Sequence, residues 1–218
     1  MRKKLLVLIL FLMPILISAC SKKSTVSKDL TLFGMDKQNN IKVDKENKKI
    51  KIFAVVNGKY LLTNTRHAVI SETGKFADKA IFKSFTKPSD FYKALVEIGA
   101  VPGNNMTEQN ATSTLTEGSK LKVTFTWKGE EKGKDINEVI IDSNKNPIDI
   151  RFTGNLERSN NKNTGCLTCL DSCLVGISSN HTYPYGSVEK EKKVEFRGNA
   201  KVLPSDGEAV IINYEVVK

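Results

Sequence analysis

The sequence predicts a mainly β (α+β) domain, an antiparallel sheet or sandwich with one packed helix and a cysteine-bearing insert. Three observations carry this. Short runs of β-branched and aromatic residues recur between turn-forming clusters, only one segment has helical apolar spacing, and three cysteines fall together at positions 166, 169 and 173.

In chain order, Leu30, Leu32 and Phe33 are placed to dock back on a core. A strand over 50–56 leads into Asn57-Gly58, a pair that tolerates the positive φ angles of a type I′ turn, and a partner strand over 60–63 completes the predicted hairpin. Further strands are predicted over 67–70, 79–85, 120–127, 135–141 and 148–153, separated by turn chemistry at 129–133 and 144–147. The helix is predicted over 89–98. Ser89 can cap it, Phe91, Ala94, Leu95 and Ile98 form its apolar stripe, and Gly99 stops it. The C-terminal part predicts a strand over 187–196, a turn at Pro204-Ser205-Asp206-Gly207 and a strand over 208–217. Pro102-Gly103-Asn104-Asn105 is a loop-shaping turn.

Ahead of these elements, Arg2, Lys3 and Lys4 precede an apolar run over 5–17 that is too short for a stable membrane span. Ile17-Ser18-Ala19-Cys20 resembles the bacterial lipobox, which implies cleavage before Cys20 and a diacylglycerol thioether on it. Two acyl chains hold at about 0.8 kcal/mol per buried methylene. The expected organisation is a signal peptide over 1–19, a lipidated tether over 20–29 and a single domain over 30–218. The expected location is the extracytoplasmic face of the cell membrane, with the lipid bilayer as partner through Cys20.

Cleavage would remove three of 34 basic residues and none of 24 acidic ones, lowering the net charge from +10 to +7. That excess is spread along the chain and lacks interleaved aromatics, which argues against nucleic-acid binding and for attraction to anionic headgroups or cell-wall polymers. No His-Glu-x-x-His, no Gly-x-Ser-x-Gly and no phosphate-cradling glycine loop is present. No catalytic residue is assigned.

With Cys20 given to the lipid, the remaining cysteines form Cys166-x2-Cys169-x3-Cys173. The spacing admits a zinc site with one added ligand, three corners of an iron–sulfur cube, a redox-active Cys-x2-Cys pair with a resolving thiol, or a structural disulfide with one cysteine left over. His181, eight residues beyond Cys173, is the expected fourth ligand. His67 lies far earlier and would need a tertiary contact to take part. Tyr183 and Tyr185 either wall a small pocket beside the cysteines or pack the insert on the sheet.

The segment 77–82, the helix and its turn over 91–105, the cysteine run and Ser179-Asn180-His181-Thr182-Tyr183 resemble the bacterial YdjY-type, ferredoxin-like domain family from about His67 onward. That resemblance implies a 4Fe-4S cluster. The chain holds only the last three cysteines of the ferredoxin run Cys-x2-Cys-x2-Cys-x3-Cys-Pro, with Leu174 where proline would stand. Its Arg2-Lys3-Lys4 start also points to export unfolded and therefore apo. Zinc, or no cofactor, would need no assembly machinery outside. The expected function is a lipid-anchored protein with a metal or thiol-redox centre serving electron or thiol transfer, partnered by a membrane redox or transport protein. The alternative is a non-catalytic binding or accessory lipoprotein stapled by a disulfide.

Overall fold

The computed structural model describes residues 30–217, so the expected signal peptide, Cys20 and the expected tether lie outside the described residues. Twelve strands are present among them: β1 Ile41–Asp44, β2 Lys49–Val56, β3 His67–Ser71, β4 Phe82–Ser84, β5 Lys120–Trp127, β6 Glu130–Asp135, β7 Ile140–Asp142, β8 Ile150–Arg151, β9 Cys166–Cys169, β10 Ser178–Asn180, β11 Phe196–Gly198 and β12 Ala209–Val216. Three helices join them, α1 Pro88–Glu97, α2 Ile136–Val139 and α3 Leu156–Lys162. No described helix is long and apolar enough to cross a membrane.

Eight strands close on themselves in the order β2, β12, β5, β8, β10, β9, β3, β4 and back to β2. The expectation of an antiparallel sheet or sandwich is therefore wrong in architecture, although the mainly β character is right. The fold is a closed barrel of mixed sense, because β3–β4 and β9–β10 pair in parallel while the other seams are antiparallel. Closure removes the free edges that a sheet or sandwich would expose. Nor are the cysteines in an insert. Cys166 to Cys169 are β9, a wall of the barrel.

Alternation along β2, β12 and β5 explains the core. Ile50, Ile52, Ala54 and Val56 face the main core with Val210, Ile212, Tyr214, Leu121, Val123 and Phe125. Phe53, Val55 and Ile211 face the other way and are covered by Leu32, Met35 and Phe85. The N-terminal segment docks on the domain through Leu32 and Met35 with Leu30 packed against them, whereas Phe33, expected to join them, is half exposed. Helix α1 adds Phe91, Ala94, Leu95 and Ile98 to the main core, with Phe91 edge-on to Tyr214 at 4.8 Å between ring centres. Pro88 takes the first helical position and Lys87 the N-cap, with no side-chain cap, so Ser89 does not serve as one. Gly99 takes φ +85° at the stop.

Three local expectations change. Asn57-Gly58 makes no hairpin: the Asn57 side chain accepts from the Lys59 amide and starts a 3₁₀ turn over Gly58–Leu61, while Gly58 donates to Asp206. The hairpin partner of β2 is β1, joined through a turn in which Lys48 has φ +52°. The strand expected over 135–141 is cut by α2, because Asp135 and Glu138 form a reciprocal capping box. Of the strand expected over 187–196 only Phe196 pairs, in β11.

Truncating Phe125, which is fully buried against Phe82, should lower the unfolding free energy by about 3–5 kcal/mol. Leu62→Ala, at a side chain 79% exposed, should stay within about 0.5 kcal/mol. Urea unfolding of the two variants checks the pair.

Candidate functional site

Strand β3 pairs antiparallel with β9, and the pairing slips twice, between His67 and Val69 and between Val69 and Ile70. Such irregularities re-aim side chains out of strict alternation. Here they let Cys166 and Cys169, three apart on one strand, both reach one imidazole. His67 Nδ1 stands 3.7 Å from Cys166 Sγ and 4.0 Å from Cys169 Sγ. These three donor atoms all lie within 4.8 Å of one another, and all three residues are buried. Cys173 follows the end of β9 and hydrogen-bonds to Cys169, but it is not one of those three close donors. Among the described residues Cys166, Cys169 and Cys173 are free thiols.

Glycines allow the approach. A Cβ on Gly176 would come within 3.1 Å of Cys169 Sγ and 3.3 Å of Cys173 Cβ, so a side chain there would crowd the Cys169 sulfur. Gly74 packs on Gly165 so closely that a Cβ would fall 2.3 Å from the Gly165 Cα. That contact brings the chain after β3 across the site and lays Phe76 on the His67 ring, 6.1 Å between centres and 22° from parallel.

The thiols are electrostatically unequal. A hydrogen bond from Cys169, helped by His67, holds the Cys166 thiol well below its ordinary value in spite of burial. Cys169 is pushed well above its ordinary value by its hydrogen bonding with Cys166 and Cys173 and by burial. Cys173 is lowered to about 7, first by its hydrogen bond with Cys169 and then by Arg66. Arg66, only 6% exposed, donates through Nε and Nη2 to Oδ1 of the fully buried Asp171, and its guanidinium lies 4.6 Å over the Tyr185 ring. Burial opposes its charge, but Cys173, Asp171 and Cys169 together more than offset that cost. Asp171 also accepts from the Gly186 amide, yet burial still holds its carboxyl above the usual value.

A cavity of about 320 Å³ opens beside this group, and His67, Cys166, Arg66 and Tyr185 all line it. Of the expected site residues, Cys166, Cys169 and Cys173 are brought together. His181 is not with them: its Nδ1 is engaged by the Thr116 carbonyl and its amide by Asp149. His67 takes the place beside the sulfurs. The signal available in the sequence was that the chain has two histidines and that one of them follows an arginine at the start of a strand. Tyr185 walls the cavity, whereas Tyr183 packs on Phe196 and hydrogen-bonds Asp142.

The YdjY domain signature matches residues 41–215. The chain belongs to the YdjY domain family. It is also 39% identical over 202 residues to the uncharacterized protein YdjY of Escherichia coli (strain K12), covering 93% of this chain and 90% of that one. No solved structure matches it. The family match extends farther toward the N-terminus than the expected start near His67, and so takes in β1 and β2.

Arg66→Met should cost about 3–5 kcal/mol, since it leaves Asp171 buried and unpaired. The loss should grow as pH rises. With its folded pKa already raised and raised further by the substitution, Asp171 is protonated in both states at low pH, and the variant must hold a buried charge or a proton above about pH 4. Urea unfolding of wild type and variant at several pH values between 4 and 8 checks the sign. Gly176→Ala should displace the sulfurs and slow or weaken any reaction that needs them together, which thiol-reactivity kinetics would report.

Proposed function

We propose that this chain is a lipid-anchored, extracytoplasmic metalloprotein in which His67, Cys166 and Cys169 hold one thiophilic divalent ion, such as zinc, beside a small cavity. The observation that carries the proposal is the spacing of the three donors. One ion with bonds of about 2.3 Å to sulfur and 2.0–2.1 Å to nitrogen sets neighbouring ligands on a small sphere, roughly 3.6–3.8 Å apart. The separations of 3.7 and 4.0 Å from His67 Nδ1, with all three donors inside 4.8 Å of one another, need only shifts of a few tenths of an ångström to reach that sphere. The lowered Cys166 thiol and the imidazole beside it are the donor chemistry that such an ion selects.

The donor set does not suit a 4Fe-4S cube. In a cube each thiolate binds a different iron, so its sulfurs stand farther apart than the ligands of one ion, whereas the His67, Cys166 and Cys169 donors all lie within 4.8 Å of one another. Three protein donors with a cavity beside two of them match sites in which a fourth position takes water or a ligand, rather than closed four-ligand structural sites. An ion there would supply a Lewis acid. Thiol exchange by Cys166 and Cys169 is the second reading, favoured by their hydrogen bond and the lowered Cys166 thiol.

The anchor rests on Arg2-Lys3-Lys4, the apolar run after it and Ile17-Ser18-Ala19-Cys20. Cys20→Ala should move the protein from the membrane to the soluble fraction, and membrane fractionation checks this.

For the centre, the protein purified without oxygen should bind one cobalt or zinc ion, and cobalt should give thiolate charge-transfer absorption. Cys166→Ser, Cys169→Ser and His67→Ala should each lower affinity by at least about 10-fold, while His181→Ala should not. Four irons with acid-labile sulfide would replace the single ion by a cluster. Absence of metal, with a disulfide forming reversibly between Cys166 and Cys169, would favour thiol exchange.

A further inference from the structure

The cavity beside His67 and Cys166 carries a charge that the site chemistry does not use. Lys75, Lys79, Lys162 and Arg66 line it against one acid, Glu189. Lys162 is in a loose pair with Glu108 at 3.9 Å, but among the described residues Lys75 and Lys79 form no ion pair. Both sit over the Phe76 ring, with Nζ 5.4 and 4.9 Å from its centre. A ring face orients an ammonium without neutralising it. The two charges therefore stand at the cavity uncompensated.

Deeper in, Arg66 is held in place with one nitrogen left over. Arg66 gives Nε and Nη2 to Asp171, and its Nη1 donates to no described residue. The side chain is 6% exposed and stacked on Tyr185, so that free N–H cannot swing away. The Tyr185 hydroxyl has no hydrogen-bond partner among the described residues either. Leu174, Val175 and Phe76 supply apolar wall between these groups. A buried cation with a free donor, two unpaired lysines at the rim and an apolar wall are what a compact anionic molecule requires, and the volume of about 320 Å³ lies at the small end of ligand pockets.

We propose that this cavity binds a small organic anion, its oxyanion group held by Lys75, Lys79 and Arg66 and its apolar body against Phe76, Leu174 and Val175, next to His67 and Cys166. This names the ligand class of the site above, and it rests on the metal-centre proposal only for what happens to the anion once bound.

Phenyl phosphate and inorganic phosphate are suitable probes, titrated calorimetrically into the metal-loaded protein. Both should bind once per chain and compete, with phenyl phosphate tighter by about 10-fold or more because its ring meets the apolar wall, and rising sodium chloride should weaken both. The double variant Lys75→Ala/Lys79→Ala should weaken phenyl phosphate by at least about 10-fold while keeping its metal stoichiometry, and Lys201→Ala, at an exposed lysine outside the cavity, should change nothing. Equal loss in the Lys201 variant, no loss in the double variant, or no phosphate binding at all would overturn the proposal. Titration into Cys166→Ser separates the two proposals: anion binding retained where metal uptake is weakened supports this site even if the centre proves not to be metallic, and metal uptake by the wild-type protein without anion binding refutes this site alone.

Discussion

The pairing of β3 with β9 is the interaction on which the rest depends. It joins segments 99 residues apart, from His67 to Cys166, and it is at once a seam of the barrel and the contact that assembles the site. Loop-closure entropy grows only slowly with the length bridged, so ordering so long a connection is tolerable once a buried interface rewards it. Regular pairing would have sent alternate side chains of β9 to opposite faces. The two slips in register relax that rule where Cys166 and Cys169 must converge.

The second requirement is charge. Arg66 precedes His67 and Asp171 lies two residues after Cys169, so the strand pair that brings histidine to sulfur also sets a guanidinium against a carboxylate in the interior. Replacing such a pair by apolar side chains is often no less stable, which makes it weak evidence for stability alone. Its placement matters more. The carboxylate holds two guanidinium donors, Tyr185 covers the guanidinium plane, and the guanidinium also lowers Cys173 and lines the cavity. The Gly186 amide fixes the other carboxylate oxygen and thereby ties the Tyr185 turn to the cysteine strand.

What the sequence disclosed follows from how local each signal is. The apolar stripe of α1, its glycine stop and the alternation of β5 and β12 are set by neighbours a few residues away, and all three are present. Closure of the barrel is not local: β8 keeps two residues of the strand expected over 148–153, and β9 and β10 are strands of four and three residues whose polar and cysteine-bearing composition hides them. Ser178 and Thr168 show why such composition is tolerated in a buried wall, since their hydroxyls bond each other and Thr168 also meets Tyr214. The cysteines of the site were legible from spacing, but the choice of histidine was not. His181 is near in sequence and diverted by Thr116, whereas His67 is remote and delivered by a strand pair that short-range pattern cannot register.

The same strand pair bears on how three buried thiols persist in the place proposed for this protein. Outside the cytoplasm, thiols in contact tend to oxidise to disulfides, and Cys169 touches both of its neighbours. Exchange and oxidation proceed through an accessible thiolate, and here the cysteine that most readily becomes one, Cys166, is almost fully buried beneath His67 and Phe76. A second thiolate beside the first is not held at low dielectric: hydrogen bonds to Cys166 and Cys173 push the Cys169 thiol up, burial adds to this, and the like charges of its neighbours push the same way. A divalent cation between the two sulfurs removes that repulsion and occupies the lone pairs that oxidation would use. Two thiolates and one imidazole then leave the proposed ion uncharged overall, and the attraction for an anion in the adjoining cavity falls to Arg66, Lys75 and Lys79.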